Sequence, residues 1–306
     1  MLKVISTCPR THSELDDFKI LGKEYNFEFI ENFPANQGFS AAEMQNIIYE
    51  SDICIIGDDQ VNEKVLNNSK NLKHIIKWGT GMDSIDIKFA ETNGIRVYNT
   101  PNILGKYVAE YTLGLIIDSL RKISTNNTNM KKGVWDKSQG MSLYNKTIGF
   151  YGFGNIGKSL ANLLKPFNCK VSYTDLIDFD LNEVKHVRLE ELIETSEILI
   201  ICAPLTNETK DSINKDLLEK SKSINLLVNV SRGGLIVEDD IFGLVANNKS
   251  KLLCLDVYKN EPPTFNNSLL DNEKILFTSH NASNTIDANQ EVNSKILNIL
   301  EDILKG

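Results

Sequence analysis

The chain has 306 residues, of which 41% are hydrophobic and 24% charged. This length exceeds one average domain and suits two, and the composition is typical of a soluble protein with a sizeable core. No apolar run reaches the roughly 18 residues that a membrane helix needs. The first apolar stretch is too short for a signal peptide, so we expect a cytoplasmic protein without a membrane partner.

The net charge is −8, from 33 basic and 41 acidic side chains, and no basic tract is present. Because attraction to phosphates dominates nucleic-acid affinity, we expect no nucleic-acid partner. The five cysteines are scattered without a Cys-x-x-Cys pair, and there are 4 histidines. We therefore expect reduced thiols and no metal site. A small anionic substrate is compatible with this charge if donors are placed locally.

The N-terminal third of the chain alternates between apolar runs and amphipathic stretches, which predicts a parallel sheet covered by helices. Predicted strands span residues 4–6, 27–31, 53–56, 74–77 and 96–98. Predicted helices span residues 13–21, 41–49 and 62–67. The first strand is followed by Thr7-Cys8-Pro9 instead of a glycine-rich turn. We therefore place no dinucleotide in this unit.

A second unit is predicted from residue 103, beginning with a long helix over residues 108–128 that is apolar nearly all round. Such a helix is expected to be buried. Six strands are predicted at residues 147–151, 170–174, 198–202, 226–229, 251–255 and 275–278. Six strands alternating with helices match a complete doubly wound sheet.

The last segment predicts a helix over residues 287–304 that returns to pack on the first unit. The predicted fold class is α/β, with two doubly wound parallel-sheet domains. A Rossmann NAD-binding domain, residues 103–282, is inserted in a discontinuous flavodoxin-like substrate domain, residues 1–102 plus 283–306.

A glycine-rich turn follows the strand predicted at residues 147–151, in the order Gly152-Phe153-Gly154-Asn155-Ile156-Gly157. This is G-x-G-x-x-G between a strand and a helix, the context that a dinucleotide site requires. Gly152 permits the tight turn, Gly154 lets the pyrophosphate approach, and Gly157 lets helix and strand pack closely. The N–H groups of the first helical turn, including those of Asn155 and Ile156, would bind the phosphates.

The next predicted strand ends at Asp175. An acidic residue about 20 positions after the first glycine binds the ribose 2′-hydroxyl of NAD and would repel the 2′-phosphate of NADP. The neighbouring Leu176 and Ile177 supply no compensating cation. The sequence therefore predicts NAD as the cofactor.

Four further segments resemble the D-isomer-specific 2-hydroxyacid dehydrogenase family, above all its D-3-phosphoglycerate dehydrogenase branch. They are Gly79-Thr80-Gly81-Met82-Asp83-Ser84-Ile85-Asp86; Asn99-Thr100-Pro101 with Val108-Ala109-Glu110; Asn229-Val230-Ser231-Arg232-Gly233-Gly234; and Leu255-Asp256-Val257-Tyr258-Lys259-Asn260-Glu261-Pro262, followed by His280. With the glycine loop they cover nearly the whole chain. The resemblance implies reversible hydride transfer between NAD(H) and a small 2-hydroxy acid or 2-oxo acid, by a homodimer.

The resemblance also assigns roles to these residues. It implies that Arg232 holds the substrate carboxylate and carbonyl oxygen, that His280 is the acid/base, and that Glu261 stabilises the imidazolium. Histidine suits this role because its unperturbed pKa of about 6.5 lets it work in both directions. Cofactor contacts are implied for Ala203, Pro204, Thr206, Val230, Ser231 and, at the nicotinamide end, Asp256. The backbone N–H groups of Gly79, Thr80 and Gly81 are implied to bind the substrate carboxylate.

Some positions depart from the family pattern. Asn102 stands where Gly is frequent, Leu104 where Asn is frequent, Tyr107 where a small residue is usual, and Cys202 where His often occurs. The first three are expected near the substrate and the nicotinamide, so the motifs do not define the size or polarity of the substrate pocket. The chain also ends soon after the returning helix, so we expect the short form without a regulatory domain.

These motifs are compatible with several functions. The leading substrate is 3-phosphoglycerate with 3-phosphohydroxypyruvate, and glyoxylate or hydroxypyruvate reduction is an alternative. A non-catalytic NAD-sensing protein on the same fold is the alternative from another class. A formate or phosphite dehydrogenase is disfavoured by the pairing of Glu261 with His280. Taken singly, Arg232, Glu261 and His280 could each be ordinary structural residues, and only their common order after successive strands argues for catalysis.

Overall fold

The computed structural model describes residues 1–221, 223–248 and 251–306, which form two compact units. Unit 1 consists of Met1–Leu104 and Asn284–Gly306, and unit 2 consists of Gly105–Ser283. The chain thus leaves unit 1 after Leu104 and re-enters it after Ser283. The sequence predicts these two boundaries after residues 102 and 282.

The elements follow one another as strands alternating with helices. The strands are β1 (Leu2–Ser6), β2 (Phe27–Glu31), β3 (Ile53–Ile56), β4 (His74–Lys77), β5 (Arg96–Tyr98), β6 (Thr147–Tyr151), β7 (Lys170–Thr174), β8 (Val184–His186), β9 (Ile198–Ile201), β10 (Leu226–Asn229), β11 (Leu252–Leu255) and β12 (Ile275–Phe277). The helices are α1 (Leu15–Tyr25), α2 (Ala41–Tyr49), α3 (Glu63–Asn67), α4 (Ile87–Thr92), α5 (Gly105–Arg121), α6 (Ile123–Lys131), α7 (Asn155–Leu164), α8 (Leu189–Thr195), α9 (Lys215–Leu218), α10 (Glu238–Asn247), α11 (Asn267–Leu270) and α12 (Ile286–Lys305).

The described strands of unit 1 form a five-stranded parallel sheet in the order β2-β1-β3-β4-β5. This is the flavodoxin-like order of a doubly wound sheet, as predicted. All four residues of β3 are buried, as expected for a central strand covered on both faces. Helix α12 returns to this sheet, and its apolar face packs with residues of β1 and α1 in one core cluster.

A buried asparagine fixes α12 within unit 1. The side chain of Asn293 is fully buried. Its Oδ1 accepts a hydrogen bond from Trp78 Nε1 at 2.9 Å, and its Nδ2 donates to Arg10 O at 2.9 Å and to Ser13 Oγ at 3.1 Å. The returning helix is therefore held in register with the loops that follow β1 and β4 by polar contacts as well as by apolar burial.

The described strands of unit 2 form a seven-stranded parallel sheet in the order β12-β11-β10-β9-β6-β7-β8. The prediction of six strands is wrong by one, since β8 was missed. That strand has only three residues, Val-Lys-His, two of them exposed, so it has no apolar run by which to recognise it. It pairs with β7 and completes the Rossmann order on that side of the sheet.

The predicted long helix is two helices, α5 and α6, separated at Lys122, which adopts the left-handed conformation (φ 55°). Asp118 contributes to the break, because its Oδ1 accepts the N–H of Ser124 at 2.7 Å and so caps the first turn of α6. The expectation that the whole segment is buried is also wrong. Only α5 has a buried face, and no described residue of α6 is buried.

The carboxyl ends of the parallel strands determine where a ligand can bind. In open α/β sheets ligands bind beyond these ends, near the point where strand order reverses. In unit 2 this point lies between β6 and β9. The glycine turn, Asp175, Arg232, Glu261 and His280 all follow strand ends at this edge. Among the described residues, no helix is both long enough and apolar enough to span a membrane.

The role of Asn293 predicts a specific loss of stability. Asn293→Leu leaves the Trp78 N–H without its partner in a buried site, and we expect the free energy of unfolding to fall by about 3 kcal/mol. Urea unfolding followed by fluorescence measures this. Asn298→Leu is the matched control, since it makes the same change on an exposed position of α12, and it should alter stability by less than about 0.5 kcal/mol. Equal effects of both variants would contradict the assignment.

Candidate active site

The glycine turn after β6 has three glycines with different constraints. Gly152 has φ 88°, and a Cβ there would lie 2.5 Å from backbone atoms of Ala203. A Cβ on Gly157 would lie 3.0 Å from Phe153 Cδ2. A Cβ on Gly154, in contrast, would have no described neighbour within 4 Å. Gly152 and Gly157 therefore serve close packing, whereas Gly154 keeps space clear at the start of α7.

The N-terminus of α7 fits a phosphate group. Its N-cap residue is Gly154, and no side chain caps the helix. The N–H groups of Asn155, Ile156 and Gly157 form the first turn, where the helix dipole is positive. A pyrophosphate could approach these groups closely, because Gly154 presents no side chain. The residues here therefore fit the dinucleotide predicted from the sequence.

Asp175 lies directly after β7, next to the glycine turn. Its Oδ2 accepts the N–H of Phe153 at 2.6 Å, and its Oδ1 accepts the N–H of Ile177 at 3.1 Å. An ionised carboxylate has about four acceptor sites, so capacity remains for ribose hydroxyls. Phe153 also stacks on the buried Tyr173, with ring centroids 4.4 Å apart, and this contact helps to hold the glycine turn next to Asp175.

The segment after β9 lies against the glycine turn. Ala203 is buried, while Pro204 and Thr206 belong to a tight polar turn in which Thr209 Oγ1 donates to Pro204 O at 2.7 Å. Cys202 Sγ donates to Gly152 O at 2.9 Å. Burial, and secondarily the charge of Asp175, raises the pKa of the Cys202 thiol to about 12. This cysteine is thus a protonated packing residue beneath the turn and not a nucleophile.

Arg232 is held by the turn that follows β10. The fully buried Asn229 donates from Nδ2 to Arg232 O at 3.0 Å and accepts from Ser231 N at 3.2 Å. Ser231 Oγ in turn donates to Ala203 O, which links this turn to the β9 segment. A Cβ on Gly233 would lie 1.9 Å from Tyr258 C, so only glycine fits beside Arg232. Val230 is buried at the same strand end.

Glu261 and His280 form a hydrogen-bonded pair. His280 Nδ1 lies 2.7 Å from Glu261 Oε2, and the two side chains are 23% and 19% exposed. Because an ionised carboxylate only accepts hydrogen bonds, Nδ1 carries the proton in this contact. Glu261 Oε1 accepts the N–H of Tyr258 at 2.9 Å, which orients the carboxylate. His280 has φ 49°, an uncommon backbone conformation that is maintained by its surroundings.

Asp256 maintains that conformation. The residue is 1% exposed, and its O accepts the His280 N–H at 2.7 Å. Its Oδ1 accepts from Thr278 Oγ1 at 2.7 Å and from Asn281 N at 2.9 Å, and its Oδ2 accepts from Ala282 N at 2.9 Å. The sequence predicts a contact of Asp256 with the nicotinamide. In the structure its carboxylate anchors residues 278–282, and the cofactor contact stays a prediction.

The positioning roles of two residues, Asn229 and Tyr258, are not predicted from the sequence. Asn229 shapes the Arg232 turn, as described above. Tyr258 connects the Glu261 and His280 segments, because its N–H binds Glu261 and its OH donates to Thr278 O at 2.6 Å. Both residues were part of the quoted motifs, yet a motif does not reveal which member bonds to which backbone group.

The predicted carboxylate-binding segment of unit 1 follows β4. Gly79 has φ 104°, and its N–H donates to Thr100 Oγ1 at 2.9 Å. Its amide is therefore engaged within unit 1, which leaves Thr80 and Gly81 as the better candidates in this segment. Asn102 has φ 67°, and asparagine tolerates this region, which explains how it replaces a frequent glycine. No group of three potential metal ligands occurs among the described residues.

Two of these glycines predict separable effects. Gly154→Ala should leave the thermal midpoint unchanged and raise the Kd for NADH at least about tenfold, since the methyl group occupies the approach to the α7 amides. Gly152→Ala should instead lower the thermal midpoint, because the Cβ meets backbone at positive φ. Thermal unfolding and NADH fluorescence titration measure both. Retained NADH affinity in Gly154→Ala would contradict the placement of the phosphates.

The chain is similar in sequence to known proteins. Residues 113–282 match the family model described as D-isomer specific 2-hydroxyacid dehydrogenase, NAD binding domain. A hydroxypyruvate reductase of Thermotoga maritima is 33% identical over 270 residues, covering 86% of this chain and 87% of that protein. A D-3-phosphoglycerate dehydrogenase of Methanocaldococcus jannaschii is 29% identical over 314 aligned residues, and the match spans 58% of that longer protein.

Solved structures share the fold. The structure of a D-lactate dehydrogenase of Aquifex aeolicus, complexed with NAD and lactic acid, has a TM-score of 0.87 at 21% identity, covering 99% of this chain and 96% of that chain. Family match, relatives and the NAD-compatible glycine turn lead to one conclusion. The chain belongs to the D-isomer-specific 2-hydroxyacid dehydrogenase family and is an NAD-dependent oxidoreductase of 2-hydroxy acids.

Proposed function

We propose that Arg232, Glu261 and His280 carry out the interconversion of a small 2-oxo acid and its 2-hydroxy acid. The observation that supports this most is the 2.7 Å contact between His280 Nδ1 and Glu261 Oε2. A half-buried histidine with one nitrogen fixed on a carboxylate is oriented to exchange a proton through its other nitrogen. Glu261 follows β11 and His280 follows β12, at the same sheet edge as the dinucleotide turn.

Each residue then has a distinct task. Bound NADH supplies the hydride for reduction. His280 Nε2 gives a proton to the carbonyl oxygen as negative charge develops there, and Glu261 stabilises the positive imidazolium that precedes this transfer. Arg232 holds the substrate carboxylate through its planar guanidinium and polarises the carbonyl oxygen. In the oxidative direction His280 takes the proton back.

The cofactor roles follow from the same edge. The α7 amides would hold the pyrophosphate, and Asp175 would accept the ribose hydroxyls. Ala203, Pro204, Thr206, Val230 and Ser231 would line the cofactor between these ends, with Asp256 close to the nicotinamide. In unit 1 we propose that the amides of Thr80 and Gly81 bind substrate carboxylate, with Gly79 supplying the backbone conformation.

A non-catalytic NAD-sensing role is the competing proposal. Such a protein would need the dinucleotide turn but no matched acid/base. The orientation of Glu261 by Tyr258, and of His280 by Asp256, favours catalysis. Precise orientation of a proton donor is necessary for catalysis and serves no purpose in cofactor binding alone.

The catalytic assignment predicts that His280→Ala lowers kcat for NADH-dependent reduction of a 2-oxo acid by about 10²–10⁴-fold, whereas the Kd for NADH changes less than about threefold. Glu261→Gln should lower kcat by roughly 10–100-fold. NADH absorbance and fluorescence titration provide the two readouts. His12→Ala is the control, since it removes a histidine that also pairs with a glutamate, at 3.0 Å, but is largely exposed. Undiminished turnover in His280→Ala would refute the assignment.

We also propose that the protein is a cytoplasmic homodimer. The described cysteines are all free thiols, as in a reducing compartment. Large apolar side chains are exposed on α6 and the segment after it: Ile123, Met130, Val134, Trp135 and Tyr144. Trp135 is the most exposed of these five side chains, at 77%. Such a concentration of apolar surface is typical of a site for another copy of the chain.

The dimer proposal predicts that Trp135→Glu converts the protein to a monomer, because the carboxylate would have to be desolvated in an apolar interface. Light scattering after size-exclusion chromatography measures the mass. Ile20→Glu, on an exposed isoleucine of unit 1, should leave the dimer intact. A monomeric wild-type protein would refute the proposal directly.

A further inference from the structure

The carboxyl edge of the unit 1 sheet, meaning the last residue of each strand from β1 to β5 and the loop that follows, is acidic. Its cations are Arg10 and Lys77. Its carboxylates are more numerous, namely Glu14, Glu31, Asp58, Asp83 and Asp86, besides the fully buried Asp59, whose carboxylate is hydrogen-bonded within unit 1. Ligands of open α/β sheets bind at this kind of edge, and the proposed carboxylate-binding amides of Thr80 and Gly81 lie on it.

The more buried cation of this edge is already neutralised. Lys77 is 4% exposed, and its Nζ donates to Asp58 Oδ1 and to Trp78 O, both at 3.1 Å. The other oxygen of Asp58 accepts from Gln37 Nε2 at 2.8 Å. Arg10 lies over the ring of Trp78, 4.6 Å from its centroid. A phosphate dianion at this edge would have to compete with Asp58 for Lys77.

The helices that begin at this edge offer no substitute for these cations. Ser40 caps α2 by accepting the N–H of Glu43, with a complete capping box. Asn62 caps α3 and Asp86 caps α4, each by accepting an N–H of the first turn. In unit 2 the N-terminus of α7 has only a glycine at its cap. Helix α1 has no side-chain cap, but its N-cap residue is Glu14 and its first turn carries Asp16 and Asp17, which would repel a phosphate. Phosphate is thus disfavoured at these four helix ends of unit 1, whereas the N-terminus of α7 fits it.

We propose that this edge restricts the enzyme to 2-oxo acids whose end remote from the carboxylate is small and uncharged, such as hydroxypyruvate and glyoxylate. A phosphorylated 2-oxo acid is disfavoured, because its dianion would meet surplus carboxylates, an engaged lysine and capped helices. This inference rests on the proposed function. It reverses the preference for phosphoglycerate that the sequence suggested, and it identifies Asp58 as a specificity-determining residue.

The test compares kcat/KM for hydroxypyruvate and for 3-phosphohydroxypyruvate, with NADH saturating. We expect wild-type protein to favour hydroxypyruvate by at least about tenfold. Asp58→Asn removes the carboxylate that neutralises Lys77, so kcat/KM for the phosphorylated compound should rise about tenfold while that for hydroxypyruvate changes less than threefold. Glu50→Gln is the matched control. It removes a carboxylate paired with Lys3 at 3.2 Å, at the opposite end of β1, and should leave the ratio unchanged.

The outcomes separate the two proposals. Equal or better use of 3-phosphohydroxypyruvate by the wild-type protein would overturn the specificity inference and leave the catalytic proposal intact. An unchanged ratio in folded Asp58→Asn, with a normal thermal midpoint, would overturn the role of Asp58. If NADH binds but neither these compounds nor glyoxylate or pyruvate turn over, the proposed function fails and this inference fails with it. The wild-type ratio needs no variant, so misfolding of Asp58→Asn cannot obscure the result.

Discussion

The buried carboxylate of Asp256 holds the segment that carries His280, the proposed acid/base of unit 2. It accepts three hydrogen bonds from residues 278–282, and the backbone oxygen of the same residue accepts the His280 N–H. Hydrogen bonds to a charged acceptor contribute about 1.5–3 kcal/mol each, enough to maintain the positive φ of His280. Without this anchor, the backbone of His280 would not be held in place for its 2.7 Å contact with Glu261.

The same organisation recurs at neighbouring strand ends. Asn229 fixes the backbone of Arg232, and Tyr258 orients Glu261 through its N–H while its hydroxyl binds the segment before His280. Each proposed catalytic residue is thus held, through its backbone or its side chain, by a buried polar residue that comes from a strand end or from the segment just after it. Pre-organisation of this kind lowers the reorganisation needed at the moment of reaction.

The helix N-termini of the two units differ in their capping, although both units are doubly wound sheets. In unit 2 an uncapped helix follows a glycine turn, so backbone N–H groups are available to a pyrophosphate. In unit 1 side-chain caps and acidic loops occupy the corresponding edge. This difference in helix caps supports the proposed division between a cofactor unit and a substrate unit.

The sequence by itself determined the doubly wound architecture, the dinucleotide turn and the identity of the acidic residue after β7. These features depend on local periodicity and short spacing, which are readable along the chain. Strand β8 and the break at Lys122 were missed, since a three-residue partly exposed strand and a left-handed lysine leave no periodic signal. Only the tertiary structure decided that Asp256, Asn229 and Tyr258 position the proposed catalytic residues, and that Asp58 engages Lys77. These bonds join residues from different strand ends, and a polar residue's type does not specify its distant partner.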